Sequence, residues 1–235
     1  MVRSVDPEEL AASELASSPC MLHELREDGT MRVDPVQARD VARWRKAERE
    51  RLIKARCLLS VGYRSEQAAM IAQGLDQVIA RSRITAPAVS IYWPIAGEPD
   101  LRPWMKTLYQ SGACVALPVA VALAQPLTFR EWRPDARLER GIWNIPYPSE
   151  GRVIVPNVVI APVVGFDPQC YRLGFGGGFY DRTLVTLKPN PLTIGVGYPE
   201  AAIRTIFPQP HDIPMDWIVS GTETVQAPNT GIPPG

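Results

Sequence analysis

The sequence predicts an α/β fold: a single three-layer domain with a mostly parallel sheet flanked by helices. Three observations carry that expectation. Short apolar runs at 88–93, 113–117, 127–132, 158–166 and 192–198 recur with helical stretches between several of them, the pattern of strands joined by crossover helices. The inner runs are continuously apolar rather than alternating, as strands covered on both faces require. The 24 prolines fall at the ends of these segments and punctuate them.

The elements follow in order. Residues 1–36 show no sustained apolar period and read as an N-terminal extension, 37–225 form the α/β domain, and 226–235 read as a flexible C-terminal tail. From 40 to 60, Val41, Trp44, Leu52, Ala55 and Leu59 fall at helical spacing. Arg43, Arg45, Lys46, Arg49, Arg51, Lys54 and Arg56 fill the other faces, giving an amphipathic helix with a strongly basic exposed side. A second helix is expected over 65–81 with Ser65 as its N-cap, and a third over 101–111. Helical room remains after Tyr180 and after Glu200.

Composition narrows the function classes. The 235 residues carry 25 Lys+Arg against 25 Asp+Glu, so no global charge draws the chain to nucleic acid or an anionic membrane. No apolar run reaches the roughly 18–20 residues of a membrane-spanning helix. The first thirty residues lack the order of a secretory signal, so the expected location is the cytoplasm. The four cysteines, at 20, 57, 114 and 170, form no Cys-x-x-Cys pair, and with only His23 and His211 beside them they give little support to a zinc site.

The segment that carries chemistry is 172–182, Arg-Leu-Gly-Phe-Gly-Gly-Gly-Phe-Tyr-Asp-Arg, between an apolar strand and a helix. Glycines at 174, 176, 177 and 178 let several backbone N–H groups converge on an anion, and a helix N-terminus adds positive potential there. The pattern is neither a Walker-type loop nor a dinucleotide fingerprint. A tight strand-to-helix turn is the bland alternative, and Arg172, Asp181 and Arg182 tilt the reading toward phosphate plus metal.

Three further clusters stand elsewhere in the chain. In Pro210-His211-Asp212-Ile213-Pro214-Met215-Asp216, Asp212 could join Asp181 in holding a hard cation such as Mg²⁺, or its carboxylate could simply form a turn. His211 alone reads as a structural histidine. Glu98, in the segment after the first strand, stands where ligands gather in open parallel sheets, or else is a helix N-terminal acid. Trp143, between Gly141 and Pro146, offers a wall for a flat heterocycle or a core side chain.

Together these residues resemble the 5-formyltetrahydrofolate cyclo-ligase family, also called methenyltetrahydrofolate synthetases, over roughly 45–220. Residues 172–182 are similar to the family's Arg-Leu-Gly-Tyr-Gly-Gly-Gly-Tyr-Tyr-Asp-Arg, and 210–216 to its Pro-His-Asp-x-Pro-x-Asp. The resemblance implies an ATP- and Mg²⁺-dependent cyclisation of 5-formyltetrahydrofolate to 5,10-methenyltetrahydrofolate, through a phosphorylated formyl oxygen, with release of ADP and phosphate. It implies ATP contacts from Arg45, Arg49, Arg172, Leu173, Gly174, Phe175, Gly176, Gly177, Gly178, Phe179 and Tyr180. Folate contacts are implied for Trp93, Glu98, Trp143 and Phe179, and Mg²⁺ ligation for Asp181 and Asp212. Phosphoryl transfer by positioning needs no protein nucleophile. Small-molecule substrates, neither nucleic acid nor membrane, and a monomer or weak dimer complete the expectation.

Three departures accompany the resemblance. Arg45 stands where the family has Lys, and Lys46 lies one residue away, ~100° around a helix. Phe175 and Phe179 replace two tyrosines, which keeps stacking and removes two hydroxyls. About forty residues precede the matching region and carry no functional reading. These departures keep open a relative that uses another acceptor, or one that binds nucleotide or folate without catalysis.

Overall fold

A computed structural model describes residues 35–228, so all but the last two residues of the extension over 1–36 and all but the first three of the tail over 226–235 lie outside the described residues. The chain divides into two units, Met1–Glu48 and Arg49–Gly235. Helix α1 (Pro35–Leu58) opens in the first and ends in the second. Pro35 is its first residue, a position that needs no intrahelical N–H donor.

In the second unit, α2 (Val61–Arg81) starts four residues before the expected 65. Ser60, not Ser65, is its N-cap: its extended backbone lets Oγ accept from Tyr63 N–H at 3.2 Å. Next come β1 (Ala88–Ser90), α3 (Arg102–Gln110), β2 (Cys114–Val119) and β3 (Thr128–Glu131). A hairpin of β4 (Leu138–Arg140) and β5 (Pro146–Pro148) precedes β6 (Val158–Pro162). A second hairpin pairs β7 (Gly165–Phe166) with β8 (Arg172–Leu173) and leads into α4 (Phe179–Thr186). β9 (Leu192–Gly197), β10 (Trp217–Ser220) and β11 (Glu223–Gln226) follow.

The main sheet has the order β11-β10-β9-β6-β1-β2-β3. Its five inner strands pair in parallel, while β3 and β11 close the two edges antiparallel. Numbered in chain order, the parallel strands run 2-1-3-4-5, so strand order reverses between β1 and β6; ligands of such sheets bind beyond the carboxyl ends at that reversal.

Burial on both faces accounts for the apolar runs. Val89, Ile91, Val115, Leu117, Ile160 and Ile194 pack on one face with Ile71, Leu75 and Val78 of α2 and Met105 of α3. Ala116, Val159, Ala161 and Ile218 pack on the other with Leu184 of α4. Each large apolar side chain so buried stabilises the fold by roughly 1.5–3 kcal/mol. Leu52 of α1 joins Val164, Leu173 and Ile206 in a third cluster.

Two expectations are corrected. The run 158–166 is not one strand: it leaves the main sheet after Pro162, and Val164 N–H bonds Leu173 O at 2.8 Å, drawing the chain into the β7–β8 hairpin. No α-helix follows Glu200 among the described residues. One 3₁₀ turn (Pro199–Ala201) is all that forms, because Pro208, Pro210 and Pro214 withhold backbone donors from the path to β10. Among the described residues no helix is long and apolar enough to cross a membrane.

Candidate active site

The Gly-rich loop is launched by the β7–β8 hairpin and ends at α4. Asp167, almost fully buried, shapes the hairpin turn by accepting from Gln169 N–H and Tyr171 N–H at 3.1 Å, and it ties down Ile206 N–H at 3.1 Å. Gly178 is the N-cap of α4 at φ +63, a left-handed conformation that favours glycine. At Gly177 the constraint is space: an added Cβ would stand 2.5 Å from the Trp143 ring. Arg49 of α1 holds the loop, donating from Nε to Gly174 O at 2.6 Å while its guanidinium lies against Gly176. Arg182 bonds back from Nη2 to Gly177 O and covers the Phe179 ring at 5.6 Å.

The β4–β5 hairpin displays Trp143 at its tip. Trp143 and Asn144 both take left-handed backbone (φ 58 and 61), sustained by bonds from Gly141 N–H to Ile145 O and from Arg140 Nη1 to Asn144 O, each 3.0 Å. The indole remains 54% exposed and meets the Phe179 ring edge-on at 5.2 Å. Trp143 is therefore a wall beside the loop rather than core. Trp93 packs against the core with Arg102 5.4 Å over its ring.

Glu98 occupies the segment beyond β1. It is 5% exposed, its Oε2 accepts from Ile95 N–H at 2.9 Å, and its Oε1 is buried with no protein partner. Burial pushes its carboxyl up to about 7, against the opposing pull of the Ile95 N–H and the Arg56 charge. Tyr180 is half-buried, and its hydroxyl is buried and also lacks a partner. Burial, then the nearby Glu98, raises that phenol well above its ordinary range. Two unpaired polar atoms at a sheet's switch point await a ligand or water.

The predicted phosphate and metal residues divide. Arg172 is turned inward: Nη2 pairs with Asp181 Oδ1 at 3.0 Å, Nη1 donates to Ile213 O at 3.1 Å, and its guanidinium lies 5.5 Å from the Tyr180 ring centroid. It braces the first turn of α4 against the 210–216 segment. Leu173 is core, so only its backbone borders the loop. Phe175 is 37% exposed, with the Arg56 guanidinium 5.6 Å from its ring centroid. Asp181 Oδ1 also accepts from Ile213 N–H at 3.2 Å, which brings α4 beside Asp212. Asp212 accepts from Gln209 N–H at 2.6 Å through Oδ2, while exposed His211 stands 3.9 Å from its Oδ1, beyond hydrogen-bond reach. Asp216 bonds both the N–H (2.7 Å) and the hydroxyl (2.9 Å) of Thr193 and serves the fold. Arg45 falls in the first unit, whereas the Gly-rich loop, the Trp143 wall and Glu98 all belong to the second.

The helical pattern puts Arg56 on the basic outer face of α1, whereas it is 6% exposed. A signal was available. Arg56 is four residues after Leu52 and three before Leu59, on the apolar stripe itself. Tyr92 and Tyr198, which pin the Glu98 segment by bonding Pro99 O at 2.8 Å and Gly97 O at 3.0 Å, had no sequence signal.

A family model for the 5-formyltetrahydrofolate cyclo-ligase family matches residues 41–221, well over half of the chain. The chain belongs to this family. The 5-formyltetrahydrofolate cyclo-ligase of Escherichia coli K12 is 32% identical over 146 residues, covering 58% of this chain and 79% of that protein. The cyclo-ligase of Mycolicibacterium smegmatis is 29% identical over 157 residues, covering 63% and 81%. Among solved structures, the Aquifex aeolicus 5,10-methenyltetrahydrofolate synthetase superposes with a TM-score of 0.68 at 26% identity, over 79% of this chain and 93% of that one. That match supports the α/β fold, and the residues matched by the family model include the braced Gly-rich loop.

Proposed function

We propose that the chain closes 5-formyltetrahydrofolate to 5,10-methenyltetrahydrofolate at the expense of ATP. The observation that carries this reading is the braced loop at 174–178, flanked by the Trp143 wall and bordered by Tyr180, whose phenol feels the charge of Glu98. Phosphate and a flat heterocycle thus have adjoining berths, beside family membership.

The chemistry follows from the substrate. The formyl oxygen attacks the γ-phosphorus, an O–P bond forms, and the bond to ADP breaks. N10 then bonds the activated formyl carbon, the C–O bond breaks with the electron pair leaving on phosphate, and the N10 proton is lost. In this reading the amides of Gly174, Gly176, Gly177 and Gly178 orient the phosphates with Arg49. Arg172 keeps the loop's floor rigid, the Phe175 and Phe179 rings line it, and the peptides of Leu173 and Tyr180 border it. Trp143, Phe179, Glu98 and Trp93 position the folate and exclude water. These are positioning and charge-neutralising roles, which is what phosphoryl transfer chiefly needs.

The donor chemistry fits Mg²⁺. Asp181 uses only Oδ1 for Arg172 and Ile213, leaving Oδ2, and Asp212 lies beside it in the chain path. Mg²⁺ commonly takes one or two carboxylates and completes its shell with phosphate oxygens and water. Bound there, Mg²⁺ would neutralise charge on the transferring phosphoryl group.

The test is direct. Purified protein with 5-formyltetrahydrofolate, Mg²⁺ and ATP is expected to generate the methenyl absorbance with matching ADP release. Product formed without ATP, or none with it, overturns the reading.

A further inference from the structure

Arg56 joins three loops around the switch point of the sheet. Its Nε donates to Ala96 O at 3.0 Å, beyond β1, and its Nη1 to Val163 O at 3.3 Å, beyond β6. Its guanidinium lies 5.6 Å from the Phe175 ring centroid, in the Gly-rich loop. Nη2 is buried with no partner. The neighbouring Cys57 Sγ reaches the same Ala96 carbonyl at 3.4 Å.

The Ala96 carbonyl is held there by an unusual turn. Ala96 (φ 45) and Gly97 (φ 76) are both left-handed, and a non-glycine residue keeps that conformation only when its surroundings impose it. The same turn presents Ile95 N–H to Glu98 Oε2. Releasing Ala96 O would therefore free the segment that aims Glu98. Charge acts at the same place. Arg56 is the cation that acts on Glu98, while the groups around that carboxyl are the Tyr92 hydroxyl from its own segment, Tyr180 from α4 and Tyr198 from the end of β9.

We propose that Arg56 is a positioning residue: by clasping the loops beyond β1 and β6 it fixes the place of Glu98, so that the reduced folate meets a carboxyl group of set geometry. This role rests on the cyclo-ligase reading, which supplies the folate. Arg56 touches no reacting atom in this scheme. A guanidinium suits the task because two of its arms reach two carbonyls at once, which an ammonium cannot do in the same fixed geometry.

The experiment uses the full chain and follows kcat and KM against pH for Arg56→Gln, Arg56→Lys and Glu98→Gln, varying each substrate in turn. Failure of the unaltered protein to make product would defeat the parent reading; the role of Arg56 is decided by how the variants differ. Arg56→Gln is expected to move the Glu98 inflection upward by roughly one pH unit, because the opposing charge that favours the carboxylate is gone. It should raise KM for the folate about tenfold through misplacement. KM for ATP should change by no more than roughly threefold, the worth of one cation–π contact with Phe175. Arg56→Lys should restore the inflection but not the folate KM, and Glu98→Gln should abolish the inflection. An unmoved inflection in Arg56→Gln, or equal rises in both KM values, overturns the proposal. If Arg56→Gln does not fold, Arg56→Lys decides by the same KM split.

Discussion

The indole of Trp143 stands edge-on to the Phe179 ring, 5.2 Å between centroids and 82° between planes, with Gly177 wedged beside both. Edge-to-face pairs of this kind contribute about 0.5–1.5 kcal/mol beyond area burial. A Cβ at 177 would sit 2.5 Å from Trp143 and 2.9 Å from Phe179, so one side chain must move. Gly177→Ala is expected to cost about 1–3 kcal/mol, as overpacking does, and to raise KM for the folate more than KM for ATP. Steady-state kinetics together with tryptophan fluorescence check both parts. An unchanged emission spectrum and unchanged KM would remove Trp143 from the site.

Asp181 and Asp216 are both acidic, and the structure gives them different work. Asp181→Asn leaves Arg172, whose side chain is 5% exposed, without its counter-charge, which costs a few kcal/mol, about 3–5 for a buried pair. It should also raise the Mg²⁺ concentration needed for half-maximal activity. Asp216→Asn should lower the melting temperature by loosening Thr193 and leave the Mg²⁺ titration in place. Parallel Mg²⁺ curves for the two variants would withdraw Asp181 from the metal.

Glu98 makes stability depend on pH with a definite sign. Its carboxyl is raised from 4.5 to about 7, so the folded chain binds its proton more tightly than the unfolded chain does. The associated stability is fully present below the unfolded value and is lost as pH rises through about 7. The difference corresponds to about 3 kcal/mol at 1.36 kcal/mol per unit. Glu98→Gln is expected to flatten the stability profile between pH 5 and 8, where denaturant titrations of wild type should fall by roughly that amount. A wild-type curve that rises across this interval contradicts the assignment.

Ser60→Ala removes the cap of α2 and should cost about 1 kcal/mol, since Tyr63 N–H loses its partner. Urea unfolding measures this. Neither KM should change, because the cap touches no loop of the site; Ser65→Ala, inside the helix, should leave stability nearly unchanged.

Much of the fold was legible because its inner strands are short uninterrupted apolar runs, and β6 and β9 are buried along almost their whole length. The β4–β5 hairpin and the strands at Trp217–Ser220 and Glu223–Gln226 have no counterpart among the expected elements. Three or four residues, several of them polar, carry too little periodicity to register, and their pairing comes from partners distant in sequence. In the site, the four glycines mark a loop before α4 but by themselves fit a tight strand-to-helix turn as well as a phosphate cradle, and Arg172, Asp181 and Arg182 tilt the reading toward the cradle. The inward turn of Arg172 was not readable: its partner Asp181 lies across the loop, and both residue types also serve as ligands, so only the folded geometry separates brace from contact. Arg56 was passed over for a related reason, since an arginine on a basic helix reads as solvated until its burial is known.

The two antiparallel margins of the main sheet bear on how the protein behaves at high concentration. Along β3 the outer backbone is already engaged, with Glu131 N–H on Arg152 O at 2.8 Å and Ile154 N–H on Phe129 O at 2.9 Å. Along β11 the outermost ribbon is four residues long, largely exposed and begins with a charged Glu223. Short, acidic or occupied borders are poor templates for strand addition by a neighbouring copy. The architecture that exposes its carboxyl ends to ligands thus shields its flanks against fibrous self-association.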